Sequence, residues 1–570
     1  MRSLLSLLYL GIFWTAGTRA SDPNLPFMEY LDKDHLVCLK WGFDNLQGDI
    51  TFKLVVNTTG WVGIGFSPNG GMQGADIVMG GQGSSGSYFN DYYATGNSMP
   101  LVDKQQSYTL LSMDESNNQT LMTFKRPIQS CDDQDFHISN QAIKVIYAYG
   151  PTDVISYHGS LRGAKEVNLL NYMPRATISG NKYISARVDN ITIPESHTYY
   201  HCKVMKLPKL YKKHHIYLIE PVIEHLDIIH HMLLYRCPFF VTEPYDGPCY
   251  SGDVGDACFD IVASWGVGGG VFALPEDVGF PIGGEENEVF YRLEIHYNNP
   301  YGYTDRIDSS GLNMHYTELL RQHDAAILST GMLFFENMEY KIPPRASRFH
   351  TYGVCNTSLF SQLINSSPDL HVFAVLLHTH LAGREIEVVH FRNGEQADLL
   401  AWDKNYNFEL QQTTSLGKIR TIKPGDELLV ECTYSTSDRT KVTKMGLGTT
   451  DEMCLAFLFY YPAIKITTCI SHPNTLHPSL STSNQLFEES RTLTEEEILE
   501  YERLLKTVPQ IHLVSDDDSN HTFYANGIVR ETKTTPTVTC KNTNSSNRLS
   551  ASWITETAGA MLLLLLIANM

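Results

Sequence analysis

The stretch "DITFKLVVNTTGWVGIGFSP", residues 49–68, alternates apolar with polar side chains, favours β-branched residues and is punctuated by glycine. A period of two belongs to a strand with one buried face, so the segment predicts strands rather than helix. The same signature recurs in "ADIVMGG", "SYTLLSM", "TLMTFKRP" and "KVIYAYG", with the turn clusters "SPNGG" and "GQGSSGS" between them. Short strands at this spacing over residues 35–150 predict a β-sandwich.

Beyond that stretch, 570 residues are too many for one hydrophobic core, and roughly three or four domains are expected. The 31 tyrosines, within an aromatic share of 11%, lean toward β structure throughout. Lysine and arginine number 43 against 63 aspartates and glutamates, a net charge of −20 that argues against a nucleic-acid partner. Residues 151–195 read as a linker. From 196 to about 475 the character stays β, and histidine and cysteine become dense. "SHPNTLHPSLSTSN" then reads as a loop opening a C-terminal extension, 476–550. One helix is expected within it: Thr494 and Glu497 form a capping box, and Ile498, Tyr501, Leu504 and Leu505 share a face.

Both ends carry targeting signals. Residues 1–20, "MRSLLSLLYLGIFWTAGTRA", describe a secretory signal peptide cut near Ala20. Residues 551–570 end in an apolar run too short to span a bilayer comfortably, which fits a lipid-anchor signal or a marginal membrane anchor. Either attaches a lumenal or extracellular body to a membrane, in the endoplasmic reticulum or at the cell surface. Asn57, Asn118, Asn190, Asn356, Asn365, Asn520 and Asn544 stand in glycosylation sequons. The 11 cysteines suit an oxidising compartment.

Chemistry gathers on the histidines. "HVFAVLLHTHLAG", residues 371–383, ends an apolar run with His378 and His380, two imidazoles on one face of a strand. They form half of a metal site or a coincidence of spacing. "DIIHHMLLYRC" holds His230 and His231, which meet one ion only if the strand twists or bulges. His296 closes "YRLEIHYNNP" and reads equally as a strand-end histidine. His214 and His215 follow two lysines and read as solvent-facing. Met453, beside Cys454 in "GLGTTDEMCLAFLFYYP", is either core filler or a thioether ligand. Two imidazoles with one soft sulfur favour copper, the reduced ion in particular.

Taken in order, "HHMLLYRC", "LEIHYNNP", "LLHTHLAGR" and "DEMCLAFLFYYP" resemble the copper type II, ascorbate-dependent monooxygenases, most of all the dopamine β-hydroxylase-like proteins. The resemblance covers roughly residues 35–475. It implies a mostly β protein: a DOMON sandwich at 35–150, then two jelly-roll-like copper-binding sandwiches at 196–335 and 336–475. It implies two copper ions, one held by His230, His231 and His296, the other by His378, His380 and Met453. Tyr200, in "HTYYHC", matches a tyrosine assigned a catalytic role, and His378 shares the reacting site; packing alone would also explain Tyr200. The implied disulfides are Cys202–Cys249, Cys237–Cys258, Cys355–Cys469, Cys432–Cys454 and Cys131–Cys540, with Cys38 left over.

The implied activity is hydroxylation of a C–H bond in a small substrate, amines among the candidates, with O2 and with ascorbate as reductant. Leu376 stands where the peptide-amidating relatives carry an arginine for the peptide carboxylate, which tells against peptide amidation. Asp76 and Asp91 add a candidate calcium-like ion in the first sandwich. The alternatives are a copper-binding protein without turnover and a cell-surface interaction protein built on the first sandwich. The substrate and the oligomeric state stay open.

Overall fold

A computed structural model describes residues 25–533 apart from 45–47, 139–142, 171–181, 253, 286, 333–339, 405 and 482–492. The signal peptide, Cys540, Asn544 and the apolar tail lie outside the described residues. The protein is mostly β, with few helices.

The opening stretch folds as its period dictates. Strand Asp49–Val56 buries every second residue, so Ile50, Phe52, Leu54 and Val56 face inward. Each such apolar side chain contributes about 1.5–3 kcal/mol on burial. This strand pairs with Val37–Asp44 on one side and Gln119–Pro127 on the other. The resulting five-stranded sheet shares a core with a six-stranded sheet containing Val62–Ser67, Asp76–Gly83 and Ile143–Tyr149. Cys38 is buried in the first of these sheets. The segment read as a linker carries strands of its own. Arg162–Val167 pairs with Ile143–Tyr149, and Tyr183–Arg187 pairs with Gly311–Thr317 of the next body.

The second body sets a sheet containing Gly311–Thr317, His214–Val222 and Val278–Ile282 beside one ordered Tyr245–Pro248, Thr198–Lys206, Phe290–Asn298, Ile229–Arg236 and Asp260–Gly266. The third pairs a seven-stranded sheet, with Leu370–His378, Cys454–Tyr461 and Ala326–Met332 at its centre, with the four strands Phe349–Asn356, Glu427–Tyr434, Gly383–Arg392 and Glu395–Asp403. One continuous core joins these two bodies, because Phe373, Leu376, Phe457 and Phe459 of the third pack into the apolar cluster of the second. The first sandwich leans on the third through the Asp44–Lys418 ion pair.

Helix Glu495–Thr507 carries the expected capping box and buries Ile498, Tyr501 and Leu505, with Tyr501 against Phe349. The supposed loop before it holds the end of strand Ile466–Pro473 and a short helix, Pro478–Ser481. The disulfides Cys202–Cys249, Cys237–Cys258, Cys355–Cys469 and Cys432–Cys454 form as expected. Among the described sequons Asn57, Asn118, Asn190, Asn365 and Asn520 are exposed and Asn356 is half-buried.

One expectation fails. His214 and His215 do not face solvent; both are buried in strand His214–Val222. His215 donates from Nε2 to Asp324 at 2.8 Å and accepts the Arg321 amide at Nδ1, and His214 donates from Nδ1 to the Lys212 carbonyl at 2.6 Å, so both are satisfied where they are buried. The two lysines before it misled the reading: Lys213 reaches round to the same Asp324 carboxylate.

Candidate metal centre

Strand Ile229–Arg236 runs antiparallel to Phe290–Asn298, and its register slips between Ile229 and His231. His230 is therefore the extra residue of a bulge, which frees it from the strict alternation that would turn it away from His231. His296 lies directly across from His231. One ring nitrogen from each of His230, His231 and His296 lies within 4.8 Å of the others, and all three side chains are buried.

His378 ends strand Leu370–His378, and His380 follows in a tight turn. That turn is wrapped on one buried carboxylate: Glu452 accepts from Thr379 Oγ1 at 2.8 Å, His380 N at 3.0 Å and Ala382 N at 2.6 Å. Met453 comes next, buried, immediately before strand Cys454–Tyr461, whose Leu455 lies across from His378. The Cys432–Cys454 bridge fixes the start of that strand.

The two histidine sets, expected on separate halves, meet. His231 and His378 ring centroids are 5.2 Å apart, His378 and His380 5.2 Å, and His296 and His380 6.4 Å. Five imidazoles from two bodies thus form one buried cluster. Burial, and then the crowding of neighbouring rings, keeps them neutral. His230 is pushed down to about 3 and His378 to about 4, and His231, His296 and His380 lie well below the usual imidazole range.

Neutral imidazole is the form that binds metal, and hydrogen bonds fix which nitrogen is bare. His230 donates from Nε2 to the Phe408 carbonyl at 2.9 Å, leaving Nδ1 without a proton and 3.4 Å from His231 Nδ1. His378 gives its Nδ1 proton to Gln411 Oε1 at 2.7 Å, leaving Nε2 bare. His380 Nδ1 reaches the Asp451 carbonyl at 3.2 Å, and its buried Nε2 has no hydrogen-bond partner among the described residues. Nor has the buried Nδ1 of His296. Burying polar nitrogens without partners is costly, and a cation accepting their lone pairs would remove that cost. An imidazole-rich set, with the buried Met453 two residues before the partner of His378, suits copper by its donor chemistry.

Tyr200 stacks on His296, ring centroids 4.3 Å apart and planes within 3°, and its buried hydroxyl has no hydrogen-bond partner among the described residues. In the first sandwich, Asp76 and Asp91 do come together, with Asp135, one carboxylate oxygen of each lying within 4.8 Å of the others. Asp76 Oδ2 accepts from Arg126 at 2.7 Å and Tyr108 at 2.7 Å, and Arg126 also lies 4.0 Å from Asp135 Oδ2, while Asp76 Oδ1, Asp91 Oδ1 and Asp135 Oδ1 are buried without a hydrogen-bond partner among the described residues. Burial pushes Asp76 up to about 6 and Asp91 to about 8.

Three family models match in series. They are the DOMON domain over residues 33–150 and the copper type II ascorbate-dependent monooxygenase N-terminal and C-terminal domains over 184–304 and 323–478. Over 483 residues the chain is 37% identical to the DBH-like monooxygenase protein 1 of Gallus gallus, covering 82% of this chain and 78% of that one. The chain belongs to the copper type II ascorbate-dependent monooxygenases. DBH-like monooxygenase protein 2 of Mus musculus is 37% identical over 497 residues, 85% of this chain and 79% of its own. Dopamine beta-hydroxylase of Bos taurus is 32% identical over 478 residues, 81% and 78% respectively.

Sequence reasoning missed the residues that orient this family member's histidines. Glu452 had a signal, since it adjoins Met453 in "DEMC". Phe408 and Gln411, in a loop about thirty residues beyond His378, had none.

Proposed function

We propose that this monooxygenase hydroxylates a C–H bond of a small organic substrate, amines foremost, using O2 with ascorbate as the electron donor. Copper would be held by His230, His231 and His296 and by His378, His380 and Met453. The observation that carries this reading is the convergence of five neutral, buried imidazoles, two with ring nitrogens that lack a hydrogen-bond partner among the described residues, with the buried Met453 at the head of the strand paired with His378. Copper, when bound, supplies one-electron redox chemistry and a position for O2.

The protein's share is orientation and exclusion of water. Burial keeps each imidazole in its metal-binding form at neutral pH. Phe408 and Gln411 select the ring nitrogens of His230 and His378. Glu452 holds the His378–His380 turn against Met453's strand. A soft sulfur at Met453 would favour the reduced ion. Tyr200, stacked on His296, is proposed as a catalytic residue beside this site, with His378. The apolar Leu376 offers no charge to grip a peptide carboxylate, which supports amines over glycine-extended peptides.

The same reading places the DOMON sandwich at 35–150 and the copper-binding bodies at 196–335 and 336–475, in a secreted chain held to a membrane by residues 551–570. Among the described residues no helix is long and apolar enough to cross a membrane. Asp91 Oδ1 and Asp135 Oδ1, buried without hydrogen-bond partners among the described residues, favour a hard divalent cation such as calcium beside Asp76.

The test is oxygen uptake by the secreted, copper-loaded chain with ascorbate, across phenethylamines, tyramine-like amines and glycine-extended peptides. Uptake matched by a hydroxylated amine supports the reading. Two bound copper ions with no substrate-dependent uptake across the panel would leave a copper-binding protein instead.

A further inference from the structure

The glycines of "SWGVGGG", residues 264–270, have no part in the chemistry above, yet they lie under the loop 406–413. A Cβ on Gly266 would meet the Gln411 carbonyl oxygen at 2.1 Å, and one on Gly268 would meet Leu410 at 2.9 Å. The bare backbone lets the third body's loop lie flat on the second body's strand end. Gln411 N donates to the Val267 carbonyl at 2.7 Å, and Val267 N donates to the His230 carbonyl at 2.8 Å.

From that seat the loop reaches both histidine sets. The Phe408 carbonyl accepts the Nε2 proton of His230, and its ring stacks on the same imidazole with centroids 3.8 Å apart. The Gln411 side chain accepts from His378 Nδ1 and donates to the Thr379 carbonyl at 3.0 Å. The Tyr406 hydroxyl accepts from Thr379 N at 3.0 Å and donates to Thr379 O at 2.7 Å. Phe408 and Gln411 are buried. One short loop therefore leaves Nδ1 without a proton on a histidine of one body and Nε2 without a proton on a histidine of the other.

We infer that loop 406–413, seated on Gly266 and Gly268, is a clasp between the two bodies that positions both histidine sets at once, with Gln411 the positioning residue for His378. The role as a metal-site clasp rests on the copper reading; the seating of the loop does not. Outer-shell partners of this kind are worth about 10–100-fold in metal affinity.

Gly266→Ala is a wedge that removes no side chain from the site. In the copper-free secreted protein, hydrogen exchange of a peptide covering 406–413 should speed up. Competitive copper titration, followed by electron paramagnetic resonance, should then show both sets weakened by about tenfold or more. Gln411→Leu should weaken only the set containing His378, by about 10–100-fold. Gln411→Glu, which keeps an acceptor for His378 Nδ1, should recover at least about a tenfold part of that loss.

Wild-type exchange and wild-type affinity at both sets in Gly266→Ala would overturn the clasp. Equal affinities for Gln411→Leu and Gln411→Glu would overturn the role given to Gln411. A wild-type protein that takes up no copper would sink the copper reading instead, and loop exchange in Gly266→Ala would still decide the seating.

Discussion

Tyr200→Phe separates packing from chemistry at this site. The tyrosine ring lies parallel to His296, and phenylalanine keeps that stack. Only the hydroxyl is lost, and it is buried without a hydrogen-bond partner among the described residues. An unpartnered buried hydroxyl costs about 1–3 kcal/mol, so removing it should stabilise the copper-free protein by up to that amount. At about 2 °C per kcal/mol for the two joined bodies, their shared transition should rise by about 2–6 °C in scanning calorimetry. Oxygen uptake with ascorbate and substrate, measured on the same preparation, should fall by about tenfold or more, some 1.4 kcal/mol of barrier. A hydroxyl retained at a cost to stability and needed for rate is the signature sought. A lower transition temperature would mean that the hydroxyl is satisfied in solution, which refutes the energetic premise. A higher temperature with unchanged uptake would leave Tyr200 a packing residue.

Other outcomes follow from the same geometry. Met453→Ala and His380→Ala should each reduce ascorbate-dependent oxygen uptake to background while secretion persists; substantial uptake by either would count against the assigned ligands. Glu452→Gln turns an amide nitrogen toward the donors of Thr379, His380 and Ala382, and should weaken copper at the methionine-bearing set by about 10–100-fold in titration. Glu387 lies across from Glu431, and burial followed by the repulsion of Glu431 and Glu385 pushes it from 4.5 up to about 7. Its folded state keeps a proton that the unfolded chain gives up near 4.5, so its contribution to stability is full below that pH and lost as pH rises through about 7. Glu387→Gln should flatten the fall in thermal stability across that window; an unchanged slope would reject the assignment. Calcium at about 100 times its dissociation constant should stabilise the wild-type DOMON sandwich by about 2.7 kcal/mol and leave Asp91→Asn unmoved, a contrast that thermal scans with calcium and with chelator would read.

The strands and the metal-binding residue types were legible because both write local patterns. Period-two alternation marked Asp49–Val56, and a capping box marked the helix at Glu495. The five histidines and Met453 stood out by residue type and order, but their meeting did not, since it depends on Phe373, Leu376, Phe457 and Phe459 closing one body onto another. The bulge at His230 was the stated condition for both adjacent histidines to turn inward, and alternation alone had no means of supplying it. His214 and His215 show the reverse error, in which neighbouring lysines suggested exposure while Asp324 holds His215 inside and the Lys212 carbonyl takes up His214. Gln411 and Phe408 carry no local signature at all, because what they do is decided by which glycines lie beneath them.

The bridge between Cys432 and Cys454 is one of three ties at the residue it adjoins. Met453 is bonded in sequence to a half-cystine, its carbonyl is held by the Tyr434 hydroxyl at 2.7 Å, and Glu452 before it is hydrogen-bonded to the turn that carries His380. Reducing the bridge should therefore release one tie and leave two in place. Copper retention by the folded chain before and after reduction of its disulfides measures what the bridge alone contributes.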